Sequence, residues 1–137
     1  MKKIFLLLFL FFILSCVKKE DYIIVSDEFV KNYYQVMNQE EAVKYTDMMA
    51  KDMLKKEIDL VKESRYKNPT LEANKAKVSF TLTETSFKKD IANITYRLTI
   101  QPKGSAFINR DAIISLKKIS NDWKVINYQE MTATLEK

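Results

Sequence analysis

The spacing of hydrophobic and polar positions changes character twice along the chain. From Ile4 to Leu14 no polar residue interrupts IFLLLFLFFIL. From Phe29 to Val61 apolar residues recur at intervals of three and four, and from Val78 onward they alternate with polar ones. The middle stretch predicts helices. Ser26 or Asp27 suits an N-cap, and Phe29, Val30, Tyr33, Tyr34, Val36 and Met37 follow at helical spacing, giving a first helix that ends near Asn38. Gln39-Glu40-Glu41 opens a second helical stretch carrying Ala42, Val43, Tyr45, Met49, Met53, Leu54, Ile58 and Val61, with acids early and Lys62 and Arg65 late, as the helix dipole favours. Thr46-Asp47 marks a break in it, because both residues cap better than they propagate, and Asn68-Pro69 ends it.

The period of two that follows predicts strands. Val78, Phe80 and Leu82 form one alternating series and Ala92, Ile94, Tyr96, Leu98 and Ile100 a second, joined by a turn at Phe87-Lys88-Lys89-Asp90. Pro102-Lys103-Gly104 reverses the chain again, with the only glycine where a positive φ is cheapest. Arg110 to Ile119 and Trp123 to Met131 give two further strands around Ser120-Asn121-Asp122. The neighbours Ile113 and Ile114 must point to opposite faces, which predicts a third strand covered on both sides. Helices first and a meander afterwards make an α+β domain, with N-terminal helices on one face of a curved antiparallel sheet of about four strands.

The uninterrupted run at the start is a separate object. Eleven residues rise only about 16 Å as a helix, too short for a hydrocarbon core of about 30 Å, and Lys2 and Lys3 precede them. That is the form of a signal peptide. At its end, Ile13-Leu14-Ser15-Cys16 resembles the lipobox of bacterial lipoproteins. The resemblance implies a diacylglyceryl group on the Cys16 sulfur, cleavage just before Cys16 and an N-acyl chain on the new amino group. Two or three acyl chains would hold the protein at a membrane facing the periplasm or the exterior, since each buried methylene contributes about 0.8 kcal/mol. The expected organisation is a signal peptide over 1–15, an acylated tether over 16–25 and one domain over 26–137.

Composition then removes whole classes of chemistry. The chain has no histidine, so it has no histidine base, no Ser-His or Cys-His pair and no histidine metal ligand. One cysteine allows no internal disulfide and no cysteine-built metal site. Removing the signal peptide takes Lys2 and Lys3 from the 23 basic residues and leaves +3 against the 18 acidic ones, far from the footprint of a nucleic-acid binder. Lys55-Lys56, Lys88-Lys89 and Lys117-Lys118 read as solvated pairs. A single glycine also cannot build a dinucleotide loop or a P-loop.

Helices followed by a meander, together with the ending Leu116-Lys117-Lys118-Ile119-Ser120-Asn121-Asp122-Trp123-Lys124-Val125-Ile126, resemble the cone-shaped α+β superfamily named after nuclear transport factor 2. The likeness spans approximately Ser26 to Met131. It implies a cavity between a concave sheet and the helices, which in different members binds small apolar ligands, performs proton transfer or dehydration, or is filled by side chains and used for assembly. Dimerisation through the sheet is frequent in the superfamily, which leaves a homodimer open here. Tyr33, Tyr34, Met53, Tyr96 and Trp123 are the candidate lining, aromatic and soft side chains suited to planar or apolar ligands. Enzymes of the group use an Asp with a Tyr or acid, or a His-Asp pair. The second is unavailable, and no acid here lies in a matching motif, so no catalytic residue is assigned. The expected function is non-catalytic binding of a small apolar ligand or an envelope protein, without a cofactor or metal; the alternative is an Asp/Tyr enzyme.

Overall fold

A computed structural model describes residues 19–67 and 75–132. Cys16 and the signal peptide lie outside the described residues. Helix α1 spans Asp21–Val30, continues into a wide π-helical turn over Lys31–Gln35, and is followed by the short α2 (Gln39–Ala42), a 3-10 turn (Val43–Tyr45) and the long α3 (Met48–Lys67). Four strands follow, β1 (Lys77–Lys88), β2 (Ile91–Gln101), β3 (Ile108–Ile119) and β4 (Asp122–Thr132), in an antiparallel sheet of order β1-β2-β3-β4. The protein is therefore α+β, with three helices packed against an open four-stranded sheet.

α1 starts five or six residues before the expected cap, inside the stretch read as tether. Glu20 supplies no side-chain cap. The start is fixed instead by packing, since Tyr22 places its ring 4.9 Å from Phe87 and 5.5 Å from Trp123, both edge to face. Tyr22, Val25 and Phe29 thus form a stripe that begins one turn before the residues first read as helical. Ser26 is buried in mid-helix.

The break at Thr46-Asp47 is present and tied to the sheet. The Asp47 carboxylate accepts from the Met48 amide at 2.7 Å where α3 begins, while the Asp47 amide donates to the Val125 carbonyl at 2.9 Å. Asn38 caps α2 by accepting from the Glu41 amide at 3.2 Å. In the sheet, Lys89-Asp90 closes the first hairpin with Lys89 at φ 59°, and Ser120-Asn121 closes the last with φ 49° and 68°. β-bulges fall at Leu82/Glu84 and at Ser115/Leu116.

The pleat sorts the strands cleanly. Ala92, Ile94, Tyr96 and Leu98 on β2, Ala112, Ile114 and Leu116 on β3, and Val125 and Tyr128 on β4 face the helices and are buried with Phe29, Val30, Ala50 and Leu54. The opposite face carries Ser79, Thr81, Asn93, Thr95, Arg97, Thr99, Asp111, Ser115 and Asn127. Ile113 lies among these and is only half-buried, so the third strand is covered on one face, by the helices. Packing on that face is set by β-branched and aromatic side chains standing on the pleat.

Candidate functional site

Two tyrosine–carboxylate constellations lie where the helices meet the sheet. The larger begins with the π turn. Val36 donates to the carbonyl of Lys31, five residues back, at 2.8 Å. The widened turn brings the adjacent Tyr33 and Tyr34 inward together, their rings 4.6 Å apart and perpendicular. Tyr33 stacks on Phe29 at 5.5 Å, as residues four apart on a helix can, and approaches Tyr128 of β4 at 5.0 Å. Into this aromatic cluster α3 sends Glu57. Its Oε2 accepts from the Tyr33 hydroxyl at 2.6 Å and its Oε1 from the Tyr128 hydroxyl at 2.8 Å.

The second constellation ties α1 to the middle of the sheet. Tyr96, fully buried on β2, donates its hydroxyl to Asp27 Oδ1 at 2.6 Å, and Asp27 Oδ2 is paired with Lys19. Burial, first, and the bond to a carboxylate, second, push the phenols of Tyr33, Tyr96 and Tyr128 well above the ordinary tyrosine range. Tyr34 is pushed the same way by burial and then by the negative charge of Glu130. All four remain protonated donors at neutral pH.

This geometry limits the chemistry. A general base needs an oxygen aimed at a substrate proton. Each oxygen of Glu57 and of Asp27 already accepts a phenol or holds an ammonium group. The helix-facing side is filled as well, with Phe29, Leu54, Ile94, Tyr96, Leu98, Ile114 and Leu116 at 0% exposure. Open depressions of about 410 Å³, between Val36–Glu40 and Ile58–Lys62, and about 330 Å³, between Lys44 and the β3–β4 turn, lie at the surface, floored in part by Ile58 and by Val25, Tyr45 and Trp123, which pack against this core. Among the described residues no group of three or more acidic or thiol side chains is arranged to hold a metal.

The candidate lining residues do not share one cavity. Tyr33 and Tyr34 meet in the cluster around Glu57. Tyr96 lies in the core, perpendicular to Phe80 at 5.7 Å, and Trp123 sits at the hairpin end beside Tyr22. Met53 is on the outer side of α3, 37% exposed. Neither Glu57 nor Asp27 lies in a motif that marks it for chemistry, although the sequence carries a signal for Glu57. Ala50, Leu54, Glu57 and Val61 are spaced four, three and four, so a carboxylate occupies a position in the apolar stripe of α3. Asp27 resembles an N-cap in sequence, which hides its role.

The chain matches no protein-family model and no curated protein sequence.

Proposed function

We propose that the protein is a bacterial lipoprotein anchored through diacylglycerol and an N-acyl chain on Cys16, and that its domain, of the cone-shaped class named after nuclear transport factor 2, is a non-catalytic interaction module facing the cell envelope. The observation that carries the non-catalytic part is the occupied helix–sheet interface, in which core side chains fill the space a ligand would need. An interaction module then works through its surface, on an envelope protein partner. The competing Asp/Tyr enzyme has its residue types at hydrogen-bond distance in Asp27 and Tyr96, but one oxygen of Asp27 is engaged by Tyr96 and the other by Lys19, so a substrate proton would have to share or displace one of these partners. The anchor is supported by the lysines, the short apolar run and the lipobox-like ending in series.

Metabolic labelling with a palmitate analogue tests the anchor directly. Wild-type protein is expected to carry the label, to fractionate with membranes and to lose residues 1–15, whereas Cys16→Ala loses label and processing together. A Cys16→Ala protein that is still labelled and processed overturns the reading.

A further inference from the structure

The structure brings together at one end of the domain lysines that are far apart in sequence, and it is the end at which the chain enters from Cys16. The start of α1 packs through Tyr22 against Phe87 and Trp123, beside the tips of both the β1–β2 and β3–β4 hairpins. Ile91 pairs with Lys88 on one side and Lys117 on the other, so these two lysines stand two strands apart on the sheet face away from the helices, with Lys89 at the tip and Lys118 at the same end on the helix-facing side. Lys117 is neutralised by Asp90 at 3.1 Å. Lys88, Lys89 and Lys118 are exposed, and Phe87 beside them leaves 55% of its surface in water despite its contacts with Tyr22 and Trp123. Lys118 lines the α1-side depression of this end with Lys44, Lys124, Asp21 and Asp122, so the positive excess of this end rests on Lys88 and Lys89 at the adjoining tip.

From these positions we infer that the corner formed by Phe87, Lys88, Lys89 and Lys118 is a membrane-apposed face that takes the headgroups of anionic phospholipids. The inference rests on the lipid-anchored reading for its biological setting. Four residue steps separate Cys16 from Glu20, a reach of at most about 14 Å. Acyl chains at Cys16 therefore hold this end, and no other, close to the bilayer surface. A tether of that length lets the lysines of this end come within the layer of about 8 Å in which salt leaves charge unscreened. An exposed ring among lysines also suits the interfacial layer, where aromatic side chains meet headgroups.

The test separates the surface from the anchor. The buried core is built from residues between Ser26 and Tyr128, so a chain beginning at Cys16 retains all of it. That chain is coupled through its only thiol to a maleimide lipid in vesicles of phosphatidylglycerol or of phosphatidylcholine. Hydrogen exchange is compared at residues 87–90 and 117–121 and at the distal turn 102–105. Slower exchange at the first two segments on phosphatidylglycerol alone, reversed by salt, is the expected result. Lys88→Gln/Lys89→Gln/Lys118→Gln is expected to lower the ratio of apposed to free orientations by about 100-fold, from about five-fold per lysine, and to abolish the protection. Lys55→Gln/Lys56→Gln/Lys103→Gln removes the same charge elsewhere and is expected to keep it. Equal protection on both lipids, none on either, or equal loss in both variants overturns the inference. Because the maleimide replaces the acyl chains, these outcomes are independent of palmitate labelling at Cys16, which alone decides the lipoprotein reading.

Discussion

Replacing Glu57 with alanine removes the acceptor of two phenols at once. Tyr128 is 6% exposed and packed against Phe29 and Tyr33, so its hydroxyl cannot turn to water without moving the rings around it. An unpaired buried hydroxyl costs about 1–3 kcal/mol. Tyr33 is half-buried and can recover a water, so its loss is smaller, about 1 kcal/mol. Together these give a loss of about 2–4 kcal/mol. In a domain of this size each kcal/mol lowers Tm by about 4 °C, so a fall of about 8–16 °C is expected. Thermal and urea unfolding followed by circular dichroism measure it. Double-mutant cycles with Tyr33→Phe and Tyr128→Phe should return coupling of at least about 0.5 kcal/mol for each pair. A Glu57→Ala protein within about 0.5 kcal/mol of the parent, or more stable than it, refutes the cross-link. A gain in stability would instead mark a carboxylate retained at the expense of folding, as functional sites often are.

Two further measurements probe the same frame. Tyr33, Tyr34, Tyr96 and Tyr128 titrate higher in the folded protein than in the unfolded chain, whose value is near 10. Above that pH the unfolded chain loses protons that the folded state keeps, so stability is fully present below pH 10 and declines increasingly steeply above it; urea midpoints between pH 8 and 11 show this, and Tyr33→Phe with Tyr128→Phe should flatten the decline. Leu54→Ala opens a void in the α3–sheet interface at a fully buried position and should cost about 2–5 kcal/mol by urea unfolding, whereas a cost below about 1 kcal/mol would show that α3 packs loosely there.

The strands were legible because the pleat has an invariant period. Ala92 through Leu98 alternate without exception, and the helices need only one such face. The turn at Ser120-Asn121 was legible for a similarly local reason, its composition, although its positive φ values were not. The start of α1 was not, because Tyr22 is fixed by Phe87 and Trp123, residues far away in sequence, rather than by a cap. The π turn was also hidden, since one extra residue per turn leaves the spacing of Phe29, Tyr33 and Tyr34 looking α-helical. The tyrosine–carboxylate pairs needed the fold itself, since the hydrogen-bonded partners in Tyr96–Asp27 and Tyr128–Glu57 are separated by 69 and 71 residues.

The absence of histidine acquires a sharper meaning once those pairs are placed. Without histidine, proton chemistry near neutral pH would fall to a carboxylate in a water-poor site. The two carboxylates nearest the core, Asp27 and Glu57, are committed to phenols that burial keeps protonated. Their partners sit on β2, β4 and the π turn, so breaking either pair would loosen a helix from the sheet. A site that reacts must exchange partners during turnover, and these partners join separate elements of the fold. What the molecule can change without loosening itself is on the outside. The polar side chains of the outer sheet face and the exposed lysines of the hairpin corner contribute little to the core, and most of them can vary at a cost within about 0.5 kcal/mol. Recognition placed on those surfaces is compatible with the way this core is held together.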